Sequence, residues 1–245
     1  MGYFVVVHTG AGSISPSTRV DLSALCSSVV SHVSTLLSQT STTATDAAIT
    51  GTVLLEDSPL TNAGVGSSIS REGLVRTEAC IAASDTGFHC VGDLEGVRNP
   101  IRVVREMIRE REEGVRSGNS YIPPRIMVGD HAVERYGAVV GDLRTRRSKR
   151  MYRKAGSFFE GDMERKRVRK EIPDGEGTRI YQCGMDSNNV QSGMESSSNV
   201  QCDQMESSNI SVQDTVGVIC VDQKGGISCA MSSGGSIYKY TGRLG

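Results

Sequence analysis

Two short apolar runs near the end of the chain limit what it can fold into more than any other stretch. Val216-Gly217-Val218-Ile219-Cys220-Val221 is rich in β-branched residues, Gln223-Lys224-Gly225-Gly226 is a turn signal, and Ile227-Ser228-Cys229-Ala230-Met231 is a second apolar run. The pattern predicts a β-hairpin with Thr215 at the mouth of its first strand. Ser232-Ser233-Gly234-Gly235 closes the second strand with small residues, where a backbone can approach a ligand closely. Spacing alone makes Thr215 a β-former before it makes it a reactive group.

A chain of 245 residues suffices for one domain with a sizeable core, and its net charge of −1 selects no single class of partner. The absence of tryptophan and an aromatic content of 4% argue against a stacking surface for single-stranded nucleic acid. The seven cysteines are irregularly spaced, without a C-x-x-C pair. Cys26, Cys80, Cys90, Cys220 and Cys229 sit in apolar contexts and read as reduced core residues of an intracellular protein, and the spacing gives zinc no support. The N-terminus has no basic leader, and no apolar run approaches membrane-spanning length. Neither a signal peptide nor a membrane contact is therefore expected.

Residues 3–7 read as a buried strand entering His8-Thr9-Gly10-Ala11-Gly12-Ser13, where the glycines make a tight turn and His8 bonds locally. Leu22, Leu25, Val29, Val33, Leu36 and Leu37 mark an amphipathic helix between Pro16 and a Ser/Thr-rich break at residues 38–43. A second helix, about residues 45–55, leads into Glu56-Asp57-Ser58-Pro59-Leu60-Thr61-Asn62-Ala63-Gly64-Val65-Gly66-Ser67. Asn62-Ala63-Gly64 is by itself a turn with a left-handed residue. Residues 67–70 and 74–82 read as strands joined at Arg71-Glu72-Gly73. Asn99 and Pro100 then open a helix, with Ile101, Val104 and Ile108 inward, a solvated mixed-charge face and Gly114 as its stop. A further short helix ends near Gly137.

Beyond this point the composition changes. Arg144, Arg146, Arg147, Lys149, Arg150, Arg153 and Lys154 form one basic cluster, and Arg165, Lys166, Arg167, Arg169 and Lys170 another. They read as a bipartite nuclear address in preference to a solvated linker with incidental nucleic-acid affinity. The stretch that follows is repetitive: Met185-Asp186-Ser187-Asn188-Asn189-Val190-Gln191 is echoed twice before Thr215. With few large apolar side chains it cannot offset its ordering entropy, so the insertion is expected to be disordered.

Taken together, Asp214-Thr215-Val216-Gly217, the two apolar strands around Asp222, Ser232-Ser233-Gly234-Gly235 and Gly242-Arg243-Leu244-Gly245 resemble the active segment of the asparaginase-type N-terminal-nucleophile (Ntn) hydrolases. His8-Thr9-Gly10-Ala11-Gly12 resembles a glycine turn of the same family. The run from Glu56 to Ser67, the Gln213-Asp214 pair, Ser233 and the basic insertion are most similar to the threonine aspartase (taspase) branch. Glu78-Ala79-Cys80-Ile81-Ala82 departs from the family's usual Asp-Ala-Ser-Ile-Met and marks a divergent member.

The resemblance implies an α+β fold, the four-layer αββα sandwich of the Ntn hydrolases, incomplete at the C-terminus. Residues 1–140 would form the α-subunit part, 141–214 a disordered processing segment, and 215–245 the start of the β-subunit. It also implies self-cleavage between Asp214 and Thr215. A threonine hydroxyl is a weak nucleophile that needs an adjacent base, and a freed α-amino group, with a pKa of about 7.7–8.0, supplies one on the same residue. Ser233 matches the family's second hydroxyl, Asn62 the asparagine that supports the nucleophile, and Arg243 the arginine that grips a substrate carboxylate with its planar fork. The implied reaction is hydrolysis after aspartate through an acyl-enzyme on Thr215, without metal or cofactor. The implied partners are nuclear regulators as protein substrates, a second cleaved protomer, and the nuclear import machinery, with a nuclear or cytoplasmic location.

Two other readings stand beside this one. The first is an isoaspartyl peptidase or asparaginase in the same fold. The second is a non-catalytic fragment acting through binding, because the family continues past the position of Gly245 with further strands and the glycine segment of its oxyanion hole. Loss of one oxyanion donor alone costs about two to three orders of magnitude in rate.

Overall fold

Six strands form one mixed sheet in the computed structural model, which describes residues 2–12, 14–117, 121–167 and 215–244, with residues 117 and 158–167 as helix backbone alone. The chain divides into two units, residues 1–158 with 210–245, and residues 159–209. Of the second unit only the helix backbone at residues 159–167 is described. In chain order the first unit contains β1 (Phe4–His8), α1 (Pro16–Leu37), α2 (Ala44–Glu56), β2 (Arg76–Ala83), β3 (Gly87–Glu95), α3 (Pro100–Ser117), β4 (Ile126–Val128), α4 (His131–Tyr136), the start of α5 (Arg146–Arg167), β5 (Val216–Val221) and β6 (Ile227–Ser233).

The strand order is β1-β5-β6-β2-β3-β4, so the C-terminal hairpin β5–β6 lies inside the sheet. All pairs are antiparallel except β3 with β4. The hairpin has Val216 opposite Ser232 and Val221 opposite Ile227. Its turn is built around Asp222, whose carboxylate accepts the backbone N–H groups of Lys224 and Gly226 at 2.8 and 2.9 Å and that of Ala44 at 3.0 Å. One carboxylate thus closes the hairpin and fixes the start of α2. Although burial opposes it, these N–H donors hold the Asp222 carboxyl below the usual range.

The helices follow from local chemistry. Ser15 caps α1 by accepting from the N–H of Thr18, with Pro16 at the first helical position. Thr43 caps α2: its Oγ1 accepts the N–H of Asp46 and donates to the Asp46 carboxylate, each bond 3.0 Å long. Leu22, Val29, Val33 and Leu37 of α1 are buried, and α1 packs on α2 and β1. Helix α2 lies over β5 and β6, and α3 over β2 and β3. Gly51 permits the closest approach: a Cβ there would stand 3.0–3.2 Å from Val33 and Val218 side chains.

All of this covers one face of the sheet. Val216, Val218, Cys220, Ala230, Ala79, Ile81 and Val91 point into the helices and are buried. Phe4, Val6, Ile219, Ile227, Met231, Phe88, Ile126 and Val128 alternate with them and are exposed. Among the described residues the architecture is therefore mixed α+β in two layers, one of helices and one sheet. The second sheet of the expected four-layer sandwich is not among them.

Several sequence expectations need correction. β1 is not a buried strand; as the edge strand with one covered face it alternates exposed and half-buried residues. Residues 67–70 form no strand, only the single bridge between Ile69 and Val75, and β2 begins at Arg76. Gly114 does not stop α3, which continues to Ser117, because glycine inside a well-packed helix costs only about 1 kcal/mol. Gly137 does stop α4, at φ 71°. Helix α1, against expectation, is long and apolar enough by composition to cross a membrane, with mean hydropathy 1.4. In this fold its buried stripe packs on α2 and β1.

The insertion also departs from the expected disorder in its first part. The first basic cluster lies at and along α5, which is anchored: Arg147 donates to the carbonyl of Leu60 at 2.7 Å, Tyr152 donates to that of Arg71 at 3.0 Å, and Ser148 and Ala155 are buried. The stem of Arg147 packs while its head finds a carbonyl acceptor, which a reading by charge alone misses. The expectations for residues 168–214, including the repeats, lie outside the described residues.

Candidate active site

Thr215 stands immediately before β5, next to the inner edge of β6. Its hydroxyl donates to Oγ of Ser233 at 3.3 Å, and the Ser233 oxygen also accepts the N–H of Gly235 at 2.9 Å. The register explains the meeting: Val216 lies opposite Ser232, and continuing that antiparallel register one step brings Thr215 directly opposite Ser233 on the same face. The Thr215 carbonyl lies 3.1 Å from Nδ1 of His8, at the end of β1. The same Nδ1 lies 3.4 Å from the backbone N–H of Gly10, so the tautomer decides which of the two contacts is a hydrogen bond. His8 thus reaches the backbone carbonyl of Thr215. That bears out a hydrogen-bonding histidine, though its partner is 207 residues away.

Asn62 is buried behind Ser233. Its Oδ1 accepts from Ser68 N–H at 2.8 Å, its Nδ2 donates to the Gly235 carbonyl at 3.0 Å, and its own carbonyl accepts from Gly234 N–H at 2.8 Å. The run from Glu56 to Ser67 and the Ser-Ser-Gly-Gly turn are thereby one unit. Glycine at 234 is required by this approach, since a Cβ would stand 2.5 Å from the Ser67 side chain and 2.8 Å from Asn62 Oδ1.

Thr215 and Ser233 line a cavity of about 220 Å³ together with Cys80, Cys90, Met231 and Leu244. It opens on the uncovered face of the sheet. Its wall is mostly apolar, with Glu78 as the charged member. Larger cavities, about 780 and 350 Å³, lie along α3 and contain none of these residues. Arg243 is exposed one residue before Leu244, with its N–H on the carbonyl of Tyr240. Asp214, the expected partner of Thr215 in self-cleavage, lies outside the described residues.

Two charged groups here escaped sequence reasoning, Lys239 and Glu56. Lys239 is buried, its Nζ 3.8 Å from Glu78 Oε2. Burial lowers its pKa, while Glu78 and Asp93 pull in the opposite direction. The lysine is turned inward by Tyr238, a non-glycine residue at φ 63° whose ring packs 5.3 Å from that of Tyr152 on α5. No periodicity in Tyr238-Lys239-Tyr240 signals a buried charge. Glu56 is fully buried at the start of α3, accepting from Ile101 N–H at 3.2 Å, and burial pushes its pKa up to about 8. Its place beside Asp57 in the motif run was the available signal. Among the described residues no group of three His, Cys, Asp or Glu side chains converges.

A strand-opening threonine with a second hydroxyl beside it, in a pocket on a sheet face, is consistent with the class of N-terminal-nucleophile hydrolases. The comparison with protein families is specific, because the model of the asparaginase family matches residues 1–120 and 154–245, and the chain belongs to that family. It is 32% identical over 111 residues to a plant-type L-asparaginase of Pyrococcus abyssi, covering 44% of this chain and 35% of the relative. It is 25% identical over 203 residues to an N(4)-(β-N-acetylglucosaminyl)-L-asparaginase of Elizabethkingia miricola, covering 82% and 45%. It is 24% identical over 253 residues to an isoaspartyl peptidase/L-asparaginase of Danio rerio, covering 98% and 62%. The chain thus spans less than two thirds of these relatives' lengths. They are asparaginases and isoaspartyl peptidases, so the resemblance to threonine aspartases narrows here to membership of the wider family.

Proposed function

We propose that this chain carries the nucleophile and its support in an amide hydrolase acting on the β-carboxamide or isoaspartyl linkage of aspartate. The observation that carries the reading is the pairing of Thr215 Oγ1 with Ser233 Oγ at 3.3 Å in a small pocket of the sheet face. Supporting it are relatives named as asparaginases and isoaspartyl peptidases.

In the uncut chain the Thr215 nitrogen is an amide. Attack of its hydroxyl on the preceding carbonyl transfers the Asp214 acyl group from nitrogen to oxygen. Water then hydrolyses the ester, leaving a free amine that serves as base. The same hydroxyl next attacks the substrate amide; the amine takes its proton and returns it to the leaving nitrogen, and water releases the acyl group. Asn62 fixes Gly235 and through it Ser233, while Arg243 reaches for the substrate carboxylate. The exposed apolar face of the sheet supports the finer fold assignment: a second sheet covers it in the complete four-layer sandwich, the solution expected for so large an apolar face.

Two features favour a second reading, an endopeptidase cutting after aspartate: Gln213-Asp214 before Thr215, and Ser233 within a largely apolar pocket. On that reading the substrates are nuclear regulators, the basic clusters serve import, and two cleaved protomers assemble. Intact mass after incubation at neutral pH tests the common step. Cleavage between Asp214 and Thr215 is expected in the wild type and not in Thr215→Ala. The cleaved protein is then offered L-asparagine, a β-aspartyl dipeptide and an α-linked Asp-Gly peptide. Turnover of the α-linked peptide alone overturns the first reading in favour of the second.

A further inference from the structure

On the helix side of the sheet, away from Thr215, a second cavity of about 350 Å³ lies between β3, the Asp85-Thr86 turn and the later turns of α3. Its lining contains buried polar atoms without a partner. His89 is fully buried, and neither of its ring nitrogens has a hydrogen bond. The Thr86 hydroxyl beside it is also buried and unbonded. A buried polar atom left unpaired costs about 1–3 kcal/mol, so three in one cavity call for an explanation.

The charges around them have a sign. Glu112 is taken up by Arg116 at 3.3 Å, and Asp85 Oδ1 accepts from Thr45 Oγ1 at 2.8 Å and from Thr86 N–H at 2.9 Å. Arg111 and Arg125 line the same cavity, and among the described residues neither has a carboxylate partner. Arg125 reaches only carbonyls, that of Phe88 at 3.3 Å and that of Thr86 at 3.5 Å. Burial, then Arg125 and Arg111, lower the His89 pKa to about 4, so its ring is neutral at pH 7 with one N–H to donate. The cavity therefore offers an imidazole N–H, a hydroxyl and two guanidiniums; Asp85 and Glu112 also line it, so its three arginines exceed its carboxylates by one charge. Guanidinium pairs are suited to a doubly charged oxyanion, which they bind bidentately. Ile108 and Val115 line the remaining space, which exceeds what a bare anion fills.

We infer that the cavity at Thr86, His89, Arg111 and Arg125 is a binding site for a phosphoryl group, distinct from the Thr215 site and independent of the reaction proposed there. Calorimetry on the full chain at pH 7 with inorganic phosphate, phenyl phosphate and sodium chloride at equal ionic strength tests it. Saturable binding of phosphate or phenyl phosphate, weakened at least tenfold by Arg125→Gln or Arg111→Gln, is expected. In parallel the NMR titration midpoint of His89, one of four histidines, should move up from about 4, because a bound dianion favours the imidazolium. Tighter binding of phenyl phosphate assigns a small organic monoester, with its apolar part on Ile108 and Val115; equal binding assigns the free ion. Heat and midpoint changes no larger than those of chloride, or unaltered binding in both arginine variants, overturn the site.

Discussion

Neighbouring residues of β5 live in opposite worlds. Val218 is fully buried beneath α2, with its methyl groups 3.1–3.2 Å from where a Cβ on Gly51 would lie. Ile219, one residue on, is 40% exposed on the other face of the sheet. The covered face has interdigitated side chains, capped helices and Asp222 binding the hairpin to α2. The open face carries Thr215, Ser233 and their pocket among exposed apolar side chains. The packed core of this chain is thus built on one face and its candidate site lies on the other, and a substitution should reveal which face it strikes.

The largest effect is expected from Val218→Asp. A carboxylate with no donor in reach, placed under α2, should cost more than about 4 kcal/mol and abolish the cooperative unfolding transition in urea. A transition that survives with a small loss would mean that the covered face is less tightly packed than described.

Second comes Glu56, also on the covered side. Its folded-state pKa, about 8, lies above the unfolded value of 4.5, so the folded chain binds the extra proton between them. The stability this contributes is fully present below pH 4.5 and is lost as pH rises through 8, by an amount on the order of a few kcal/mol. Glu56→Gln keeps an acceptor for Ile101 N–H and should remove most of that loss in denaturation series between pH 5 and 8. Parallel curves for the two proteins would sink the assignment. A smaller effect, about 2 kcal/mol, is expected for Asp222→Ala, which leaves the N–H groups of Ala44, Lys224 and Gly226 without their acceptor.

What the sequence made legible divides along the same line. The covered face is written in period: α1, α2 and the hairpin follow from apolar spacing, capping residues and a turn signal. Thr215, Ser233 and Asn62 were found through motif runs, and the register brings them into one network. Lys239 was not legible, because the αL conformation of Tyr238 that turns it inward has no local signature. The anchoring of α5 escaped because Arg147, whose stem packs and whose head bonds to a carbonyl, reads, letter by letter, as part of a solvated charge run. His89 lies in the β2–β3 hairpin opposite Ile81, but Arg111 and Arg125, which line its cavity, come later in the chain, so nothing nearby announces that its nitrogens are left unpaired.

The smallest effect should come from repeating the first substitution one residue along. Ile219→Asp places its carboxylate on the open face, opposite Val6 and Cys229, where water solvates it. Aspartate is a poor strand former, and part of an apolar contact is lost, so a cost below about 1 kcal/mol in the same urea transition is expected. The ratio between the two substitutions is more informative than either value. If Ile219→Asp were as damaging as Val218→Asp, the open face would be covered in solution by another sheet or a second copy of the chain. In that case sedimentation of the wild type and of Ile219→Asp would differ in mass. Equal monomer masses and a large ratio would leave the face open around Thr215, accessible to a substrate from the solvent side.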